Sequence, residues 1–515
     1  AVNKGGWTPL HIACGNGHAS CVRVLLGAGA NKEAADEDGA TALFIACQHG
    51  HEACVRVLLD AGANVEAAGY DNWTPLYAAC RFGHEACVRA MLGAGADIEA
   101  ADCWGCTPLH IACQHGHEAC VRAMLGAGAN QEAMQKDSVT PLYIACQNGH
   151  QACVRALLGA GANMEAADYD GWTPLHAACS RDHEACVRAL LGAGANGDAA
   201  EKNGATPLYI ACSNGHAACV RALLDAGANK EALVINGWTP LHAACSKCHE
   251  ACVRELLGAG ANKEATTKSI GATPLYLACQ KGNEACVRAM LGAGANMEAT
   301  QKDGATPLFI ACQNGHAGCV RALLDAGANV EVVANNGATP LNIACRQGHE
   351  ACVRALLGAG ASTEAAQKDC ATPLHAACQE GHAACVRALL EGGANKEAAE
   401  NNGWTPLHAA CFQGHEACVR ALLDAGANIE SAENSIGATP LYLACQEGHD
   451  ACVRALLDTG ANVEAVAKNG RTPLHAAHSN GHAACVRALL HAGAHRGAAM
   501  QPDFGRVAST ACTWF

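Results

Sequence analysis

Apolar positions along this chain fall into two short clusters that repeat at a fixed interval. In the first copy Leu10, Ile12, Ala13 and Cys14 form one cluster, and Cys21, Val22, Leu25 and Leu26 form the other. A polar, small-residue stretch from Asn31 to Gly39 follows. Both clusters have helical spacing. Thr8 can cap the first helix with its hydroxyl, and Pro9 suits the first helical position, where the missing N–H has no partner to lose. Gly17-His18 ends that helix, because glycine enters the left-handed conformation without a Cβ penalty. A second helix is predicted from about Ala19 to Gly27, with Gly29 as its stop. The Asp, Asn and Gly residues that follow predict an extended loop with a hairpin tip. Neither helix reaches the ~12–15 residues at which an isolated helix becomes marginal in water, so each must be held by its neighbours.

Threonines open the copies at Thr8, Thr41, Thr74, Thr107, Thr140, Thr173, Thr206, Thr239, Thr273, Thr306, Thr339, Thr372, Thr405, Thr439 and Thr472. The interval is 33 residues, with one extra residue before Thr273 and one before Thr439. Such a period marks a solenoid, whose units bury their apolar faces only by stacking. The predicted fold is an all-α repeat solenoid of stacked helix-turn-helix units with projecting β-hairpin loops. It covers residues 1–495, and a tail at 496–515 has lost the repeat. At ~8–10 Å between packed helices, fifteen units would span roughly 120–150 Å.

Thr8-Pro9-Leu10-His11, Gly17-His18 and Leu25-Leu26 followed by Gly29-Ala30 together resemble the ankyrin repeat. The resemblance implies an L-shaped pair of antiparallel helices with a projecting hairpin, stacked into a curved array. It also implies partners bound across the hairpin tips and the inner helix face, and no catalytic residues. Several positions depart from the pattern. Asn283 replaces the histidine after glycine, Asp182 and Cys248 replace that glycine, and Ala42 replaces the proline. Glu33, Glu66 and Glu99 stand where the family often has asparagine. These departures bear on single turns, not on the fold.

A net charge of −14 argues against a nucleic-acid backbone or an anionic membrane as partner, since both require a basic footprint. One arginine recurs in every copy (Arg23, Arg56, Arg89 and onward). Most of these sit four residues after an acid, as in Glu52–Arg56 and Glu118–Arg122, which predicts pairing along the helix surface. No apolar run reaches the ~18 residues of a membrane span. The chain opens at Ala1, within what would be a preceding hairpin, and its first copy lacks a polar capping face. That is the expectation for a fragment of a longer protein, without its targeting signal.

Of the 34 cysteines, 29 follow the repeat, closing the first helix (Cys14, Cys47) or opening the second (Cys21, Cys54). Reduced cysteine behaves there as a small buried hydrophobe, which points to a reducing, cytoplasmic location. Two alternatives remain open at this stage: a bridge within one unit, such as Cys14 to Cys21, and a thiol array storing metal. A ladder between equivalent cysteines would exceed the ~7 Å limit for bridged Cα atoms.

Four local patterns imitate chemical sites. Cys245 to His249 spells a haem-attachment motif, but only Cys248 departs from the repeat. Cys103 and Cys106 have redox-pair spacing on a hairpin tip. The glycines from Gly192 to Gly197 follow a helix, whereas a dinucleotide site needs a strand there. His475, His478, His482, His491 and His495 crowd the last copy as an adventitious metal candidate.

No phosphate loop, nucleophile elbow or tuned base is present, so no enzymatic activity, cofactor or metal site is expected. The expected function is a protein-binding scaffold acting as a monomer, with a thiol-rich redox or metal-buffering solenoid as the alternative. Hairpin tips vary most among copies. Several carry lysine (Lys136, Lys202, Lys302, Lys368), whereas the same place holds Tyr70, Tyr169 and Ile235, and Trp104 projects one residue further along its tip. Phe82 ends a first helix where a polar residue would be better solvated. Tyr70, Phe82, Trp104 and Tyr169 are therefore the candidate protein-binding residues, while Trp73 and Trp172 are expected to pack at the hairpin base. Phe504, Trp514 and Phe515 are possible anchors for the tail.

Overall fold

A computed structural model of the chain describes residues 2–367 and 371–495. Lys368, Cys370, Cys512 and the candidate anchors Phe504, Trp514 and Phe515 lie outside the described residues. Each repeat forms a helix of seven or eight residues, a tight turn and a helix of nine, as in Pro75–Phe82 and Glu85–Gly93. The described residues contain thirty α-helices and no strand. The expected β-hairpins are hairpin-shaped loops instead. One isolated bridge joins Ala35 and Thr41, and other tips close with a backbone bond such as Asp102 N–H to Cys106 O at 3.0 Å. Three residues between the bonded pair leave no length for a ladder. The chain divides into two compact units at Ser269 and Ile270. Within each unit, first helices pack on the first helices of adjacent repeats and second helices on second helices.

The helix starts follow local chemistry. Thr74 caps its helix by accepting the Tyr77 N–H, with Pro75 at the first helical position. Ala42 replaces that proline without loss, because Thr41 still caps the helix Ala42–Gln48.

Three polar contacts recur along the array and tie repeats to their neighbours. The first comes from the histidine after glycine. His84, His117 and His150 donate from Nε2 to the carbonyls of Gln48, Arg81 and Gln114 in the preceding repeat, at 3.0–3.1 Å. Their rings lie so close to the preceding repeat's glycine that a Cβ on Gly50, Gly83 or Gly116 would sit 2.4–2.5 Å from Nδ1. The same glycines hold φ of 74–78°. The position therefore requires glycine twice, for its conformation and for the approach of the ring. Asp182 and Cys248 occupy it at φ 62° and 66° and carry left-handed strain. Asp182 recovers part of the contact, with its carboxylate 3.8 Å from His216 Nδ1. Asn283, in the histidine's place, caps its own helix by accepting the Cys286 N–H at 2.8 Å.

The second contact comes from the fourth residue of the Thr-Pro-Leu-His segment. His110 accepts the Thr107 N–H at Nδ1 and donates from Nε2 to Val139 O of the next repeat, both at 3.2 Å. Burial pulls its pKa from 6.5 down to about 4. Where tyrosine replaces histidine, its hydroxyl reaches the following loop, from Tyr77 to Asp102 Oδ2 at 2.9 Å and from Tyr143 to Asp168 Oδ2 at 3.1 Å.

The third contact explains the loop acids. Glu33, Glu66 and Glu99 accept the backbone N–H of Asn64, Asp97 and Asn130 one repeat on, at 2.7–3.0 Å.

Between these ties lies a core of small and medium side chains. From the second copy on, the first residue of the Leu-Leu or Met-Leu pair is buried, as at Leu58, Met91, Met124 and Leu256, whereas Leu25 in the first copy and Leu257 are only half-buried. The closing cysteines Cys47, Cys80 and Cys113 and the opening cysteines Cys54, Cys87 and Cys120 are fully buried, whereas Cys21 in the first copy is exposed. Every described cysteine is a free thiol. The Cys14–Cys21 bridge is therefore not formed, and the thiols that flank Cys47 belong to adjacent repeats: Cys87, Cys80 and Cys14. Burial pushes the Cys120 thiol up to about 12.

Two predictions test these ties. Gly83→Ala should destabilise the first unit by ~2–4 kcal/mol, combining a left-handed alanine with a displaced His117 ring. Gly161 has φ 86° but open space around it, so Gly161→Ala should lose only ~1–2 kcal/mol. Equal shifts of the urea midpoint would refute the ring contact. For His110, the folded pKa lies below the unfolded value, so its contribution is complete above pH 6.5 and is lost as pH falls toward about 4. Asn342 fills the equivalent place with the same cap and a hydrogen bond to Ala365 O. His110→Asn should therefore lessen the acid-induced fall in urea midpoint, and an unchanged pH profile would assign that fall to other groups.

Candidate protein-binding surface

A recess of the first unit lies between a hairpin tip and the ends of neighbouring first helices. Its volume is about 410 Å³, and Trp73, Tyr77, Arg81, Trp104, Gln135 and Lys136 are among its lining residues. Local structure sets each of these side chains. Trp73 directly precedes the capping Thr74 and stacks on Tyr77, with ring centroids 5.1 Å apart. Arg81 lies two turns further along the sequence, and its guanidinium rests 4.6 Å from the Trp73 ring centre. The Trp73 Nε1 is buried without an acceptor. Trp104 projects from a tip that Asp102 holds by accepting the N–H groups of Trp104 and Cys106, both at 2.9 Å. The Asp102 carboxylate thus has three internal donors once Tyr77 is included. The next tip is tied on by a bond from Lys136 N–H to Trp104 O at 3.2 Å.

The four candidate residues fare unequally. All are exposed: Tyr70 by 71%, Phe82 by 44%, Trp104 by 53% and Tyr169 by 64%. Trp104 alone of the four lines the recess. Tyr70 stands on a tip without glycine, where Asp71 and Asn72 take φ of 56° and 64°. Phe82 is linked to the recess through Arg81, whose guanidinium lies 5.9 Å from its ring centre. Tyr169 occupies a separate tip, held by Asp168 as Trp104 is by Asp102. Arg81 and Gln135 were not singled out from the sequence, and Lys136 only as one of a series of tip lysines. The available signal was the run Arg81-Phe82 at a helix end whose capping segment carries both Trp73 and Tyr77. Trp73 and Trp172 each pack against a buried cluster, as expected of residues at the hairpin base.

The imitation motifs are accounted for by the repeat. His249 donates to Ser213 O at 3.1 Å, as its counterparts do. Cys106 donates its thiol proton to Gln135 Oε1 at 2.8 Å, while Cys103 is exposed and free. Gly194, at φ 96°, lies just past Ala193, the C-cap of the helix Glu184–Gly192, and serves as its stop. His475 bonds to Thr472 and His482 to Gln446 O. No group of three His, Cys, Asp or Glu able to hold a metal occurs among the described residues. Among those residues, no helix is long and apolar enough to cross a membrane. On the second helices, Arg56, Arg89, Arg122 and Arg254 pair with the glutamate four residues earlier at 2.6–2.7 Å. Each such exposed pair is worth about 0.3–0.5 kcal/mol.

Known proteins share the repeat across the whole array. The family described as "Ankyrin repeats (3 copies)" matches in nine overlapping stretches, from 1–69 to 430–498. Protein phosphatase 1 regulatory subunit 27 of Mus musculus is 52% identical over 33 residues, which is 6% of this chain and 21% of that protein. Its Homo sapiens counterpart is 44% identical over 36 residues, 7% of this chain and 23% of that protein. The chain thus spans about a fifth of the length of these relatives. The human ASB11 ankyrin repeat domain aligns with 31% identity and a TM-score of 0.40, over 44% of this chain and 99% of that one. Ankyrin repeats generally mediate protein–protein interaction, and their fold is typically non-catalytic. With its matches running from end to end of the array, this chain belongs to the ankyrin-repeat family.

Proposed function

We propose that this chain is a non-catalytic scaffold that holds partner proteins along its hairpin tips and first-helix face. The observation that carries the reading is the recess lined jointly by Trp104, on a tip, by Trp73, just before a first helix, and by Arg81, near the end of that helix. Interface anchors are enriched in tryptophan, tyrosine and arginine, and the recess offers all three. Rigid tips support it. Consecutive loops are hydrogen-bonded to one another, so little ordering accompanies binding. Tyr70, Phe82 and Tyr169 extend the surface on either side. The scaffold acts as a monomer in a reducing, cytoplasmic setting and binds protein rather than nucleic acid.

The thiols fit this reading better than a buffering role. The repeat cysteines pack as apolar filler, and burial holds thiols such as Cys87 near 11 and Cys153 near 12, far from the thiolate that binds metal or attacks disulfides. Thiol titration should therefore count a few exposed groups, Cys21, Cys103 and Cys248 among them, in the native protein and nearly all of them in denaturant. Full native reactivity, or several zinc ions retained after purification without chelator, would favour the buffering role.

The surface itself is tested by replacing Tyr70, Phe82, Trp104 and Tyr169 with alanine together. Helical content and unfolding should stay unchanged, while capture of the natural partner weakens at least tenfold, about 1.4 kcal/mol. Undiminished capture would move the site elsewhere along the array.

A further inference from the structure

The first unit treats its two rows of cations differently. On the second helices most arginines are neutralised by a glutamate one turn earlier. Three first helices of the same unit carry a cation at or just past their C-terminal end: Arg81, Arg181 and Lys247. In none of its eight repeats does an acid occupy either of the two positions after the helix-closing cysteine. Arg81, Arg181, Lys247 and, across the recess, Lys136 take part in no ion pair among the described residues. The nearest acids are committed elsewhere. Asp102 accepts from Tyr77, Trp104 and Cys106, and Asp168 accepts from Tyr143, Asp170 and Trp172. Asp137 lines the recess without such partners.

We propose that this recess and the first-helix row around it bind an acidic linear segment of a partner protein. Its carboxylates pair with Arg81 and Lys136, and an apolar side chain lies against Trp104. The proposal rests on the scaffold reading and specifies the partner's chemistry. Arg81 is suited to the role because stacking on Trp73 fixes the guanidinium plane before a carboxylate arrives, leaving its donors free for a charge-assisted pair. The unsatisfied Trp73 Nε1 adds a further donor beside it. A peptide fits better than a nucleic acid. The recess sets two cations beside Asp102 and Asp137, which suits one or two carboxylates at fixed places and not the continuous basic track that a run of phosphates needs.

The test is selection from a random peptide display library on the full chain, followed by fluorescence anisotropy with the enriched peptides. The enriched pool should be rich in Asp and Glu next to an apolar or aromatic residue, and its binding should weaken as salt rises. Arg81→Gln combined with Lys136→Gln should weaken binding about tenfold or more. Asp137→Asn should tighten it, and Arg56→Gln on the second-helix face should leave it unchanged. The Asp137→Asn gain keeps the test decisive should the double variant fold poorly. A neutral or basic pool, no enrichment, or an oligodeoxynucleotide bound as tightly as the peptides would overturn the proposal. A neutral pool whose binding is lost in Trp104→Ala would overturn the acidic segment alone and leave the scaffold reading standing. Peptides insensitive to every recess variant would count against both.

Discussion

Everything in this structure depends on the contact between one repeat's histidine and the preceding repeat's glycine turn. Helices of seven to nine residues cannot persist alone in water, since nucleation consumes most of what their few hydrogen bonds return. Each repeat therefore exists as a folded object only against its neighbour. The histidine ring supplies direction to that contact, because Nε2 must find one carbonyl and Nδ1 must clear one Cα. Apolar packing alone would allow the helices to slide, since burial is proportional to area and has no preferred register. The glycine turn converts it into a single register.

From that register the rest of the binding surface follows. Once first helices are aligned, the loops that leave them are aligned too, and their backbones bond tip to tip. The loop acids strengthen the same alignment from the opposite side of the loop. The side chains of Tyr70, Trp104 and Tyr169 take no part in these bonds, which run through the backbone and through anchors such as Asp102. Tyr70, Trp104 and Tyr169 can thus vary from copy to copy without disturbing the stack.

The fold was legible in the sequence to within a residue or two, because the threonine cap recurs fifteen times, the proline after it fourteen times, and both, like the glycine stops, are local signals. The second helix of the first copy, expected from Ala19 to Gly27, spans those residues. Two features were not legible. The loop acids Glu33, Glu66 and Glu99 looked like departures from a family pattern, because their partners lie 31 residues away and no short-range pattern encodes that pairing. The recess was likewise only half visible. Trp104 was identified as an exposed aromatic, but its neighbours Trp73 and Arg81 lie 31 and 23 residues earlier in the chain and meet it only through stacking. Of the adjacent leucines Leu256 and Leu257, the first fills the core and the second is half-buried. Adjacent leucines are 100° apart on a helix, and only the packed neighbour decides which of them turns inward.

The same logic bears on why a strongly acidic chain can present a cationic recess. Acids on the second helices are neutralised by arginines, and those at the loop base are held in place by backbone N–H groups. The first-helix ends lie beyond the reach of both devices, since the i,i+4 partner of Arg81 is Tyr77, a residue occupied with Asp102. Net charge is a sum over 515 residues, and at physiological ionic strength the field of each charge decays within about 8 Å. A partner approaching Trp104 therefore meets Arg81 and Lys136, together with Asp137, and not the distant excess of glutamates. Local arrangement, set by the stack, determines what this surface attracts.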